Sequence, residues 1–262
     1  MHLQRAEHLT ASNELDQRVF LYSGDELEAM DSLSGYYAWM LRHFRPFLGR
    51  RIVEIGAGTG NFAEFLVRES PGAQFLLFEP ARNLFPSLER RFAGNADVDA
   101  VPGVFDERAA AFAPDTVCMV NVLEHIEDDA ACLRKIWEAL APSGHMLLFV
   151  PALRAIYGSL DLAFGHFRRY KKLELSAKIR GAGFNILEMR YFNLVGVAAW
   201  FFSGRIMKKR TVDARSARFF DRWLVPPSAW LENRWEPPLG QSLLAVARKY
   251  DPESGPVDGG PK

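Results

Sequence analysis

The 262-residue chain predicts an α/β fold in which a mostly parallel sheet is covered by helices on both faces. Three observations predict it. From Arg51 onward, short β-rich runs alternate with helical patterns. The runs are apolar throughout, not at every second residue, as expected of strands buried on two sides. The first run ends in glycines where a helix opens, which is where open parallel sheets bind ligands.

The elements follow in order. Residues 26–48 read as a helix, with Leu27, Met30, Leu33, Tyr37, Met40, Leu41 and Phe44 near helical spacing; Pro46 and Gly49 stop it. Residues 52–55 form the first strand and Asn61 to Glu69 a helix with Phe62, Phe65 and Leu66 on one face. Gln74 to Phe78 is the second strand, and 81–92 a helix whose start Pro86 delays. Val98 to Phe105 is a weaker third strand and Asp115 to Val122 a strongly apolar fourth. Asp128 and Asp129 open a helix, favoured there by the helix dipole, and Gly144 closes its far end. His145 to Val150, Phe184 to Phe192 and Ser242 to Arg248 supply strands five to seven, with a helix over 171–180. The predicted organisation is a helical cap (1–50), a ligand-binding domain (51–250) carrying a helical lid insertion (193–238), and a disordered tail (251–262) rich in Pro, Gly and acid.

Composition narrows the classes. Lys plus Arg equals Asp plus Glu, 32 each, so no positive surplus marks a general nucleic-acid binder. Cys118 and Cys132 sit inside apolar patterns and give neither a disulfide framework nor a zinc site, which fits a reducing cytoplasm; no metal site is read. Residues 1–10 lack the apolar stretch of a secretory signal, and no run is long enough for a spanning helix.

The most informative stretch is Glu54-Ile55-Gly56-Ala57-Gly58-Thr59-Gly60-Asn61. Glycines in a strand-to-helix turn allow positive φ and close approach of a ligand to the main chain. A dinucleotide site needs G-x-G-x-x-G, and its third glycine would fall on Asn61. The glycines stand at 56, 58 and 60 instead, with Glu54 just before them. An acid there suits the cationic groups of S-adenosylmethionine (SAM) better than a pyrophosphate. At the end of the second strand, Glu79-Pro80 places a carboxylate where it can accept hydrogen bonds from both hydroxyls of a ribose.

With these residues the chain resembles the class I SAM-dependent methyltransferases. Glu54 to Gly60 looks like their first motif, Glu79 like their ribose acid, and Asn121-Val-Leu-Glu-His-Ile-Glu-Asp128 like a segment of the small-molecule branch. The resemblance implies a Rossmann-like seven-stranded sheet with the last strand antiparallel, and SAM as cofactor. It implies cofactor contacts at Glu54, Gly56, Ala57, Gly58, Gly60, Asn61, Glu79, Pro80, Asn121, Val122 and Leu123. Val104 stands where the family often carries an adenine-binding acid, so adenine falls to Asp106 or to main chain. Val150-Pro-Ala152, Tyr157 to Asp161 and Gly165 to Tyr170 look like a bacterial subgroup associated with glycan, glycolipid or secondary-metabolite pathways.

Methyl transfer needs alignment of the nucleophile and removal of its proton. His125, at the end of the fourth strand, is the candidate base, with His166 on the same rim; a helix-start histidine bonded to main chain is the competing reading. Glu124 reads as structural. Arg168 and Arg169 are candidates for an anionic group on the acceptor, with Tyr157 and Asp161 nearby; the alternatives are a solvated basic face beside Lys171 and Lys172, or an ion pair with Asp161. Tyr36 and Tyr37 are candidates to cap the pocket, against a plain core role.

The insertion holds Trp200, Trp223, Trp230 and Trp235, with a basic run from Arg205 to Arg222. Basic plus aromatic suggests contact with a membrane or an amphipathic substrate. The favoured expectation is a lid whose aromatics pack on the sheet, with Pro226-Pro227 and Pro237-Pro238 marking breaks. The expected activity is methylation of O or N on a small-molecule or lipid-like acceptor. The rivals are a SAM-binding but silent partner subunit and a nicotinamide-dependent oxidoreductase. The sequence leaves the oligomeric state open, a homodimer included.

Overall fold

The computed structural model describes residues 33–250. Leu27, Met30 and the tail at 251–262 lie outside the described residues. A seven-stranded sheet runs in the order β3-β2-β1-β4-β5-β7-β6. The strands are β1 Arg51–Ile55, β2 Gln74–Glu79, β3 Val98–Pro102, β4 Thr116–Val120, β5 His145–Pro151, β6 Phe184–Phe192 and β7 Ser242–Lys249. β1 pairs parallel with β2 and β4, β2 with β3, and β4 with β5. β7 lies between β5 and β6 and is antiparallel to both. The expected sheet, with its final strand reversed, is the one found.

The apolar strands bury both faces. One core sets Val53, Phe78, Met119 and Leu148 against Leu133, Ile136 and Ile179 of the helices Asp129–Ala139 and Lys172–Gly181. The other sets Ile52, Leu77, Cys118 and Leu147 against Met40 and Phe44 of Ser34–Phe44 and Leu66 of Asn61–Glu69. Both cores are apolar, which leaves the carboxyl ends of the strands as the place where polar groups gather.

Several boundaries differ from expectation for local reasons. The third and fourth strands are shorter, because Gly103 and Asn121 adopt positive φ, 134° and 52°, and turn the chain away. The helix after β2 starts at Phe85, with Pro86 in its first turn, where the missing N–H costs nothing. A helix at Glu107–Phe112 and another at Ser159–Ala163 were not anticipated. In the insertion, Pro226 and Pro227 do not separate two pieces. They stand in the first turn of Val225–Glu232, which follows directly from a π-helical turn at Phe220–Leu224 and the helix Ala214–Phe219.

Candidate functional site

The turn after β1 is held by its own backbone. Gly56 and Ala57 both donate their N–H to the Phe78 carbonyl, at 2.8 and 3.0 Å, and Gly60 donates to Ala57 at 2.9 Å. Gly56, Gly58 and Gly60 have φ of 71°, 60° and 87°. A side chain at Gly56 would also strike Val122, at 2.5 Å from its Cγ2. The turn after β4 therefore packs directly on the turn after β1. Leu123 is buried beneath them, and the Asn121 N–H donates to the Phe149 carbonyl at 2.8 Å.

Glu79 ties the loop to β2. Its Oε2 accepts from Gly58 N–H at 2.6 Å and its Oε1 from Ala81 N–H at 2.7 Å. Burial nevertheless pushes its carboxyl above the ordinary range, against those two bonds. Glu54 lies one strand over, 2% exposed. Burial, then the nearby Glu79, push its carboxyl well up. The Glu54 Oε2 and the Thr59 hydroxyl are buried with no hydrogen-bond partner among the described residues. Unsatisfied acceptors of this kind are costly unless a ligand completes them.

A second polar group lies beyond β4 and β5. Glu124, in the 3₁₀ turn Leu123–His125, is fully buried, and both its carboxylate oxygens lack a hydrogen-bond partner among the described residues. His166 Nε2 stands 3.8 Å from Glu124 Oε1, and the His125 and His166 rings are 4.8 Å apart. Asp161 fixes the His166 ring, its Oδ1 lying 3.0 Å from the ring Nδ1. Asp161 in turn takes bonds from Arg169 Nε at 2.6 Å, Gly158 N–H at 2.9 Å and Trp200 Nε1 at 3.1 Å. Burial raises Glu124 to about 7. Burial and then His166 lower His125 to about 4, so its imidazole is neutral at physiological pH. Donor atoms of Glu124, His125 and His166 lie within 4.8 Å of one another, a set that also suits a divalent ion.

Several assignments change. Arg169 is 1% exposed; besides Asp161 it donates to the carbonyls of Ala152 and Gln241 and stacks on Trp200. Asp161 is equally buried and is paired with Arg169, so the two brace the rim by satisfying each other. Arg168 is bound to Asp129 at 2.9 Å and to the Glu127 carbonyl at 2.8 Å. The Tyr157 hydroxyl donates to the His166 carbonyl at 2.7 Å. Tyr36 and Tyr37 are core aromatics, Tyr36 against Phe149 and Phe192 and Tyr37 against Phe62. Asp106 caps Glu107–Phe112 through Arg108 N–H and grips the Arg108 side chain, so its carboxylate is already occupied. The sequence reads Glu124 as structural and does not show that its carboxylate is fully buried. An acid beside the candidate base was a signal, but its isolation is created by contacts far along the chain.

A family model described as a methyltransferase domain matches residues 14–189. The chain belongs to the class I SAM-dependent methyltransferases. Its cofactor is S-adenosylmethionine. Among its relatives is a ubiquinone biosynthesis O-methyltransferase from Azorhizobium caulinodans, 30% identical over 61% of this chain and 68% of that protein. A cypemycin N-terminal methyltransferase from Streptomyces is also 30% identical, over 49% of this chain and 55% of its own length. A SAM-dependent methyltransferase from Mesorhizobium loti shares the fold at 16% identity, with a TM-score of 0.54 over 82% of this chain and 100% of that one.

Proposed function

We propose that this methyltransferase transfers a methyl group to an oxygen or nitrogen of a small or amphiphilic acceptor, and that the Glu124–His125–His166 cluster receives the acceptor's proton. Bound SAM supplies an activated methyl and a good leaving group. The chain's own residues hold, orient and deprotonate. Glu54 and Thr59 take the cofactor's polar groups and Glu79 its ribose, using the second lone pairs of a carboxylate already fixed by Gly58 and Ala81. Ala57, Asn61 and Pro80 border it, and Asn121, Val122 and Leu123 form the wall behind.

The carrying observation is the buried, unpartnered Glu124 carboxylate beside two imidazoles at the carboxyl ends of β4 and β5. A base works best when its pKa lies near the working pH, and Glu124 at about 7 meets that condition while His125 at about 4 does not. His125 and His166 then orient the acceptor, and Glu124 changes charge. Asp161 is a positioning residue for His166.

Calorimetric titration with SAM tests the cofactor half, and labelled-methyl transfer to phenols, catechols and amines tests the rest. The rate should rise with pH through about 7 as Glu124 ionises. Glu124→Gln should lose that limb, with turnover down on the order of a hundredfold and SAM affinity kept. An unchanged profile in Glu124→Gln removes the base assignment. Loss of activity on dialysis against EDTA would give the same three residues to a metal ion instead.

A further inference from the structure

The insertion between β6 and β7 turns its aromatic residues outward. Phe219, Trp223 and Trp230 are 59%, 61% and 60% exposed, and Phe201, Phe202 and Trp235 are exposed as well. Only Trp200 of the four tryptophans points inward, to Asp161. A lid packed on the sheet would have buried them. The helical stretch from Ala214 to Glu232 is anchored by its other side: Ala217, Val225, Ser228 and Glu232 are buried. Asp221 accepts from the N–H groups of Gly35 and Tyr36 at 2.9 and 2.8 Å, and Glu232 from those of Asn193 and Leu194. Phe219, Trp223 and Trp230 therefore belong to a firmly seated helical stretch, exposed on its outer side with no protein against them among the described residues.

Charge decides what fits there. Lys208, Lys209, Arg210, Arg215, Arg218 and Arg222 are all exposed on the same insertion, and its only acids between Arg205 and Arg222 are Asp213 and Asp221. Asp221 points inward, so Asp213, which caps Ala214–Phe219, is the one exposed acid in that stretch against these six cations. Arg222 and Arg234 lie over the Trp223 and Trp230 rings, their charges held at the level of the aromatics. Trp and Arg together at an apolar surface are the composition of a membrane–water interface. The exposed Phe201 also lines an open groove of about 460 Å³ with apolar walls, among them Ile156, Leu194 and Val197. Ile156 follows β5 on the rim of the sheet, and Phe201 is shared with the exposed face. The groove thus lies between Phe201 and the segment that follows β5, and its lining side chains are all apolar.

We propose that the outer face of the insertion docks on an anionic lipid bilayer, and that the apolar groove takes a hydrocarbon chain of an amphiphile from it. Neither half rests on the proton transfer proposed above. The face supplies aromatic anchors and cations to the headgroups. The groove supplies apolar walls to a chain.

The test is co-sedimentation with vesicles of phosphatidylglycerol mixed into phosphatidylcholine, against pure phosphatidylcholine. The protein should pellet with the anionic vesicles, less at high salt, and brominated acyl chains should quench its tryptophan fluorescence. The triple variants F219S/W223S/W230S and R215E/R218E/R222E should each weaken binding, the second on the order of a hundredfold, with melting temperature and SAM affinity unchanged. Absence of pelleting by the wild type overturns docking. So does a wild-type dimer that F219S/W223S/W230S converts to monomer, since the face would then meet a second copy. For the groove, parinaric acid should bind with a gain in fluorescence that Val197→Trp abolishes while vesicle binding persists. No parinaric acid binding, or binding untouched by Val197→Trp, removes the chain-binding half.

Discussion

The rim of the sheet and the outer face of the insertion break the ordinary partition of residues in opposite directions. At the rim, Glu54, Glu79, Glu124, Asp161 and Arg169 are buried. On the insertion, large aromatics stand in solvent. Charge is expensive to bury and aromatic surface expensive to expose, so each arrangement needs a partner or a use. The rim solves part of its problem internally, through Asp161 and Glu79, and leaves Glu54 and Glu124 unsatisfied. The insertion solves none of it on its outer side. The difference teaches where to look for ligands: polar ones at the unsatisfied rim acids, apolar ones against the face.

The comparison is broken most severely at Asp161. This carboxylate takes bonds from Arg169, His166, Gly158 and Trp200. Asp161→Ala leaves the Arg169 guanidinium buried without its counter-ion, and removing one partner of a buried pair costs about 3–5 kcal/mol. Thermal or urea unfolding should record that loss. A loss below about 1 kcal/mol would mean that the surface-like pairing strength applies here and that the rim is not a buried network.

Glu79 comes next and separates binding from folding. Glu79→Ala removes both backbone bonds that shape the glycine turn. SAM affinity should fall on the order of a hundredfold, as two charge-assisted bonds at about 1.5 kcal/mol each imply. Calorimetry reads the change. Unaltered affinity with a lower melting temperature would make Glu79 a loop brace only.

Much of the first region was legible in the sequence and little of the second. Strand β6 was placed at its observed ends, and the Glu54–Gly60 turn was read with its neighbours Glu79 and Val122, because periodicity and glycine spacing are local signals. Pro86 fell in the helix start for the same reason. Glu124 was not legible as a buried, unpartnered acid. Its isolation arises when the chain returns at 166–167: Phe167 N–H donates to the Glu124 carbonyl and His166 covers the side chain. Arg169 was misplaced as a substrate contact because Trp200 and Gln241, which enclose it, are distant in sequence. The insertion's aromatics show helical spacing in either orientation. Only the inward anchors Asp221 and Glu232 decide which side faces out.

Glu54 sharpens the rim side of the comparison with an effect of opposite sign. Its carboxyl is raised in the folded protein, so the fold favours the protonated form. Stability from that preference is fully present below the unfolded carboxylate range and is lost as pH rises toward the folded value. At neutral pH without cofactor, the acid therefore weakens the fold. Glu54→Gln should melt higher than the wild type at pH 7, show no advantage near pH 4, and bind SAM more weakly. A variant that melts lower at pH 7 would mean that Glu54 is satisfied in the unliganded protein.

The smallest expected effect belongs to the face. F219S/W223S/W230S removes three rings that rest against solvent, and exposed substitutions of this kind usually change stability by no more than about 0.5 kcal/mol each. Urea unfolding should therefore give nearly the wild-type midpoint, while solubility improves. The contrast with Asp161 is the sharp form of the argument: one buried carboxylate should outweigh three large aromatic side chains. If the triple variant instead loses several kcal/mol, those rings pack against protein, most simply a second copy. The face would then be an internal surface of an assembly, with no claim on a bilayer.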